Sequence, residues 1–185
     1  MFEQFSEFKH VLVTGPQRSG TTICAKMIAV DTGHKFMAEG HMSHVDSNVE
    51  ELYELIRIVS ETNKAVIQCP IQCRWIHLFG DDTTAIVMMR RKLDDIKASE
   101  KRVGWGDGRQ RIMYKGLVTN YGSMHIALVK WAYWERHQRR LIKHPFEIHY
   151  ESLCDHSLWV APKDRDNWGP RRIDVTDKFH DEIWI

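Results

Sequence analysis

The sequence predicts an α/β fold: a central, mostly parallel sheet with helices on both faces, giving three layers. Three observations predict it. Short apolar runs alternate with amphipathic stretches of helical period along the chain. The runs HVLVT (10–14), KAVIQC (64–69) and TTAIVMMR (83–90) are nearly continuous in apolar residues, as strands buried on both faces are. The first run ends in Gly15 and leads directly into a helical pattern.

The elements follow in order. After HVLVT, the stretch TTICAKMIAVDTG places Ile23, Met27 and Val30 at helical spacing, with Gly33 as the expected stop. HVDSNVEELYELIRIVSETN reads as a second helix. Asp46 or Ser47 is its N-cap, and Val49, Leu52, Leu55, Ile56 and Val59 form one face. KAVIQC is a strand stopped by Pro70. QCRWIHLFG is a short helix ending at Gly80, TTAIVMMR is a strand, and RKLDDIKASEKR is a helix.

The glycine-rich segment 103–122 reads as a long loop of the kind that serves as a lid or acceptor loop. Its Trp105, Tyr114 and Tyr121 are candidates for lining an acceptor site. Residues 123–144 read as one long amphipathic helix with cations at its C-terminal end, and Trp131 and Trp134 are expected in the core. FEIHY (146–150) is a further strand, and 155–185 is an irregular tail rich in Trp, Pro and Arg.

With 185 residues the chain is read as a single domain over 1–185. Lys and Arg number 26 against 25 Asp and Glu, so no strongly basic surface argues for nucleic acid. No apolar run approaches the ~20 residues of a membrane span, and the N-terminus lacks a basic region followed by a long apolar one. A cytoplasmic location with no membrane partner is the expectation. Four cysteines without repeated spacing fit free thiols in a reducing compartment. Cys69, Cys73 and His77 lie four apart, but Pro70 interrupts the first turn, and a structural zinc site wants four ligands. No metal site is expected.

The chemistry concentrates in GPQRSGTT (15–22). Gly, four residues, then Gly is the spacing of a phosphate-binding P-loop, which makes the expected fold P-loop NTPase-like. Gly15 and Gly20 allow a tight turn, and successive N–H groups at the helix start can surround an anion. Gln17 and Ser19 lie within the loop, Arg18 adds a planar permanent charge, and Thr21 and Thr22 add hydroxyls. The pattern calls for lysine where this chain has Thr21. In nucleotide triphosphatases that lysine reaches the β- and γ-phosphates. The loop therefore suits a phosphate-like group other than the γ-phosphate of a magnesium nucleotide.

RSGTT (18–22) after a strand resembles the 5′-phosphosulfate loop of sulfotransferases. IVMMRRKLDDIKAS resembles that family's strand-end arginine followed by Asp and Ser, with Arg91, Asp95 and Ser99 in the matching places. FEIHYESL (146–153) resembles the strand–Tyr–Glu–x–Leu segment after the family's long late helix, and Tyr150 and Glu151 are read as anchoring the strand end. Arg18 makes the loop more like that of the carbohydrate- and tyrosine-directed members, since the cytosolic ones have lysine there.

The resemblance implies 3′-phosphoadenosine 5′-phosphosulfate (PAPS) as donor and 3′,5′-adenosine bisphosphate (PAP) as product, with no metal. It implies that Arg91 and Ser99 grip the 3′-phosphate. Arg165, Arg171 and Arg172 in the tail stand where the family's closing loop would be, without a residue-by-residue match. The expected acceptor is a small molecule or glycan carrying a hydroxyl or amine, its identity left open by the sequence, and a homodimer is allowed for.

A hydroxyl acceptor needs a general base. FMAEGHMSHVD offers Glu39, His41, His44 and Asp46. The carbohydrate-directed relatives use a glutamate shortly after the P-loop helix, which points to Glu39, with His41 second. Two other readings stand beside this one. A P-loop kinase would need a lysine from elsewhere in the fold and an acidic Mg²⁺ ligand. A non-catalytic anion-binding protein would need neither.

Overall fold

The computed structural model describes residues 1–38, 48–102 and 123–159. Five strands form one sheet in the order β2-β3-β1-β4-β5. They are β1 (His10–Thr14), β2 (Lys35–Met37), β3 (Ala65–Gln68), β4 (Thr84–Arg90) and β5 (Pro145–His149). Every neighbouring pair is parallel, with Val11 in register with Val66 on one side and Ala85 on the other. All five C-terminal ends therefore lie on one edge of the sheet, where ligands of such sheets bind.

The helices are α1 (Thr21–Thr32), α2 (Asn48–Glu61), α3 (Leu93–Arg102) and α4 (Ser123–Tyr133). Alternate strand residues face opposite layers, as the period of two requires. Val11, Val13, Val66, Val87 and Met89 pack with Ile23, Met27 and Ile28 of α1 and with Phe2, Phe5 and Phe8. Leu12, Ile67, Ile86 and Met88 pack with Leu55 and Ile58 of α2 and with Trp134. The sheet and its two flanking layers give the three-layer arrangement expected from the sequence.

Several details differ from the sequence reading. β2 is a strand of three residues, KFM, too short for its pattern to stand out. In α2, Ile56 is exposed and Glu51 is buried, so the inward face is rotated from the expected one. The turn after β3 is two 3₁₀ segments, Ile71–Arg74 and Ile76–Phe79, ending at Gly80 as expected. The long late helix does not run unbroken. α4 passes at Trp134–Gln138 into a π-helical stretch, followed by a 3₁₀ turn at Arg139–Leu141. Two inward anchors accompany the change in period: Trp134 Nε1 donates to Glu147 Oε1 at 3.0 Å, and Gln138 Nε2 donates to the Cys73 carbonyl at 2.7 Å. Trp134 is fully buried, in line with its expected core role.

No helix among the described residues is long and apolar enough to cross a membrane. The segments 103–122 and 160–185, with Trp105, Tyr114, Tyr121, Arg165, Arg171 and Arg172, lie outside the described residues.

Candidate functional site

The loop between β1 and α1 has the backbone its glycines foretell. Gly15 has φ 143° and Gly20 φ 93°, both in the region that favours glycine. A Cβ on Gly20 would fall 2.4 Å from Cδ2 of Tyr150, so the ring of Tyr150 closes directly on the start of α1. Arg18 takes φ 66° without being glycine, a left-handed conformation that costs roughly 1–2 kcal/mol for an L-residue. Within the loop, Ser19 Oγ donates to the Pro16 carbonyl at 2.6 Å. At the helix start, Gln68 Nε2 donates to Thr21 Oγ1 at 3.4 Å, and Thr22 is half-buried.

The two motifs that the sequence separates by more than seventy residues meet in space. Arg18 Nε donates to Ser99 Oγ at 3.1 Å, and Arg91 Nη1 donates to the Arg18 carbonyl at 2.8 Å. Ser99 is fully buried on α3. Arg102, one helical turn further, also donates to Ser99 Oγ, at 3.2 Å. The guanidinium of Arg91 stacks over the Tyr150 ring, 3.9 Å from its centroid. Burial draws the Arg91 pKa below its usual value, and the nearby charge of Arg102 acts the same way. Its Nε is buried without a hydrogen-bond partner. Tyr150 thus does more than anchor a strand: it seats both the loop and the arginine. Glu151 Oε1 accepts the Lys92 N–H at 3.3 Å, which ties the end of β5 to the start of α3.

On the opposite flank of the loop stands a residue that the sequence reading did not single out. Lys130 on α4 is buried, and its ammonium donates to the Gly15 carbonyl at 3.1 Å, to Gln17 Oε1 at 3.1 Å and to the Pro70 carbonyl at 2.6 Å. A single cation inside the apolar run IALVKWAYW was the available signal. Near it Glu51 of α2 pairs with Arg74 at 2.8 Å. Burial raises the Glu51 pKa, while the charges of Arg74 and Lys130 act against that rise. Arg102 could also have been found beforehand, since it stands three residues from Ser99 on the same helix face.

The structure brings together Gly15, Gln17, Arg18, Ser19, Gly20, Thr21, Thr22, Arg91 and Ser99. The candidate bases Glu39, His41, His44 and Asp46 lie outside the described residues.

No family model matches the sequence, and no curated protein is similar to it. Among solved structures, the fold is similar to shikimate kinase from Acinetobacter baumannii in complex with shikimate. The TM-score is 0.55 at 12% identity, over 84% of this chain and 93% of that one. Shikimate kinase from Bacteroides thetaiotaomicron is similar with a TM-score of 0.49 at 15% identity, over 75% of this chain and 85% of that one. Retinol dehydratase, in a complex with retinol and PAP, has a TM-score of 0.37 at 14% identity, over 80% of this chain and 56% of that one. The first of these likenesses shows the fold: the chain has the P-loop kinase-like α/β arrangement.

Proposed function

We propose that the protein is a sulfotransferase that moves a sulfuryl group from PAPS to a hydroxyl or amine acceptor by in-line displacement. One observation carries this reading: the loop arginine and the strand-end motif converge, with Arg18 and Arg102 on the Ser99 hydroxyl and Arg91 on the loop itself. The residues present fit the group. Arg91 keeps a buried Nε without a hydrogen-bond partner, and the serine hydroxyl between two guanidiniums lies in a field that favours an anion. Arg18 and the loop N–H groups hold the 5′ side and stabilise developing charge. Arg91 and Ser99 hold the 3′-phosphate. When bound, PAPS supplies the activated sulfuryl group. Glu39, with His41 as the second candidate, takes the acceptor proton.

Phosphoryl transfer from a nucleoside triphosphate is the second reading. Thr22 occupies the position whose hydroxyl holds Mg²⁺ in triphosphate loops, and Lys130 brings to the loop a lysine that the loop itself lacks.

Calorimetric titration with PAP, beside ATP with and without Mg²⁺, decides between them. Micromolar binding of PAP with no ATP binding is the expected outcome. Tight, Mg²⁺-dependent ATP binding that is indifferent to a 3′-phosphate transfers the assignment to phosphoryl transfer.

A further inference from the structure

We propose that Lys130 is a positioning residue that fixes the anion loop from outside, so that the loop holds its place over the ends of β1 and β3 before any ligand arrives. A backbone carbonyl shut away from water needs a donor, and the loop has two such carbonyls, at Gly15 and Arg18. Lys130 Nζ donates to the Gly15 carbonyl, and Arg91 Nη1 donates to the Arg18 carbonyl. Two of the loop's carbonyls thus each accept from a cation.

Lys130 does more than Arg91 on this account. Its three N–H groups meet three oxygens, one on the loop backbone, one on the Gln17 side chain and one on the turn after β3. An ammonium so used has no N–H left to offer a ligand. It therefore acts through the loop, by fixing where the loop lies relative to the ends of β1 and β3. The missing loop lysine is replaced in a different capacity: the cation sits behind the loop and holds it in place, where the usual one reaches past the peptides to the phosphate. Preorganised donors need no rearrangement when charge develops. The inference concerns the loop's shape and holds whichever anion the loop receives.

The test uses Lys130→Gln, which keeps a neutral donor, beside Lys130→Met, in the full-length protein. Backbone amide resonances of Ser19, Gly20 and Thr21 are recorded without ligand, and affinities for PAP and for inorganic pyrophosphate are measured in parallel. The wild type should show one sharp set of loop resonances. Lys130→Gln should fold, show those resonances broadened or multiplied, and bind its anion roughly tenfold or more weakly, the scale of losing hydrogen bonds to a charged group. Added ligand should sharpen the resonances again. A folded variant with unchanged loop resonances and unchanged affinity overturns the proposal. Loss of the fold in Lys130→Gln also overturns it, because Lys130 would then support the fold as a whole. A wild type that binds pyrophosphate but ignores PAP defeats the sulfotransferase reading and leaves this one standing.

Discussion

The two flanks of the loop hold their cations in different ways. On the β4 flank, Arg18 and Arg102 meet a serine hydroxyl, and Arg91 meets a carbonyl and the face of a ring. On the β3 flank, Lys130 meets three oxygens and Arg74 meets the carboxylate of Glu51. Lys130 uses its three N–H groups on protein oxygens, whereas Arg91 keeps a buried Nε without a hydrogen-bond partner. On the reading proposed above, the β4 flank is the side that receives ligand and the β3 flank the side that holds the loop in position.

Substitutions can break this contrast or sharpen it. The largest effect is expected from Arg18→Ala. It should lower turnover about 10²–10³-fold, as the loss of a transition-state donor does, while the melting temperature changes little. Assaying sulfuryl transfer beside thermal unfolding checks it, and near-normal turnover would remove the β4 flank from the chemistry. Arg91→Ala should come next, with PAP bound roughly 10–100-fold more weakly. Adenosine 5′-phosphosulfate should lose less, since it has no 3′-phosphate. The loss common to both nucleotides measures the bond from Arg91 to the Arg18 carbonyl, and equal losses would place the 3′-phosphate elsewhere.

The smallest effect is expected on the β3 flank, from Glu51→Gln. The folded pKa of Glu51 is raised by burial above its ordinary 4.5, so the native state binds this proton more tightly than the unfolded chain does. Its contribution to stability is complete below pH 4.5 and is lost as pH rises through the folded value. The glutamine variant has no such loss. Its melting temperature should gain on the wild type as pH is taken from acid to neutral, and an unchanged gap would show that Glu51 titrates as it does in water.

The same contrast explains what could be read from the sequence. β1, β3 and β4 were legible because burial on both faces leaves long apolar runs, and TTAIVMMR became β4 to within one residue, whereas the three residues of β2 left no such run. The loop was legible because its glycines and Arg18 follow one another along the chain. Arg91 and Ser99 were legible because their spacing on one strand end and helix resembles a known motif. The β3 flank was not legible, since its members come from α2, the turn after β3 and α4, and only the fold brings them together. Glu51 looked like an ordinary acid in the first turn of a helix, and Lys130 like a stray charge in an apolar segment. The late helix misled for a related reason. Its apolar period continues through Trp134, while the π-helical stretch shifts the phase by inserting one residue per turn.

Arg18 carries a further consequence through its backbone. A residue with φ 66° would be more comfortable as glycine, and Arg18→Gly should relieve strain of about 1 kcal/mol. That gain is offset in part by the greater freedom of glycine in the unfolded chain. The variant would be a protein at least as durable as the original and deprived of its principal charge. With Arg18 in the role proposed above, selection for endurance and selection for turnover pull in opposite directions at this one position, and a stabilising screen run without an activity assay would favour losing the arginine.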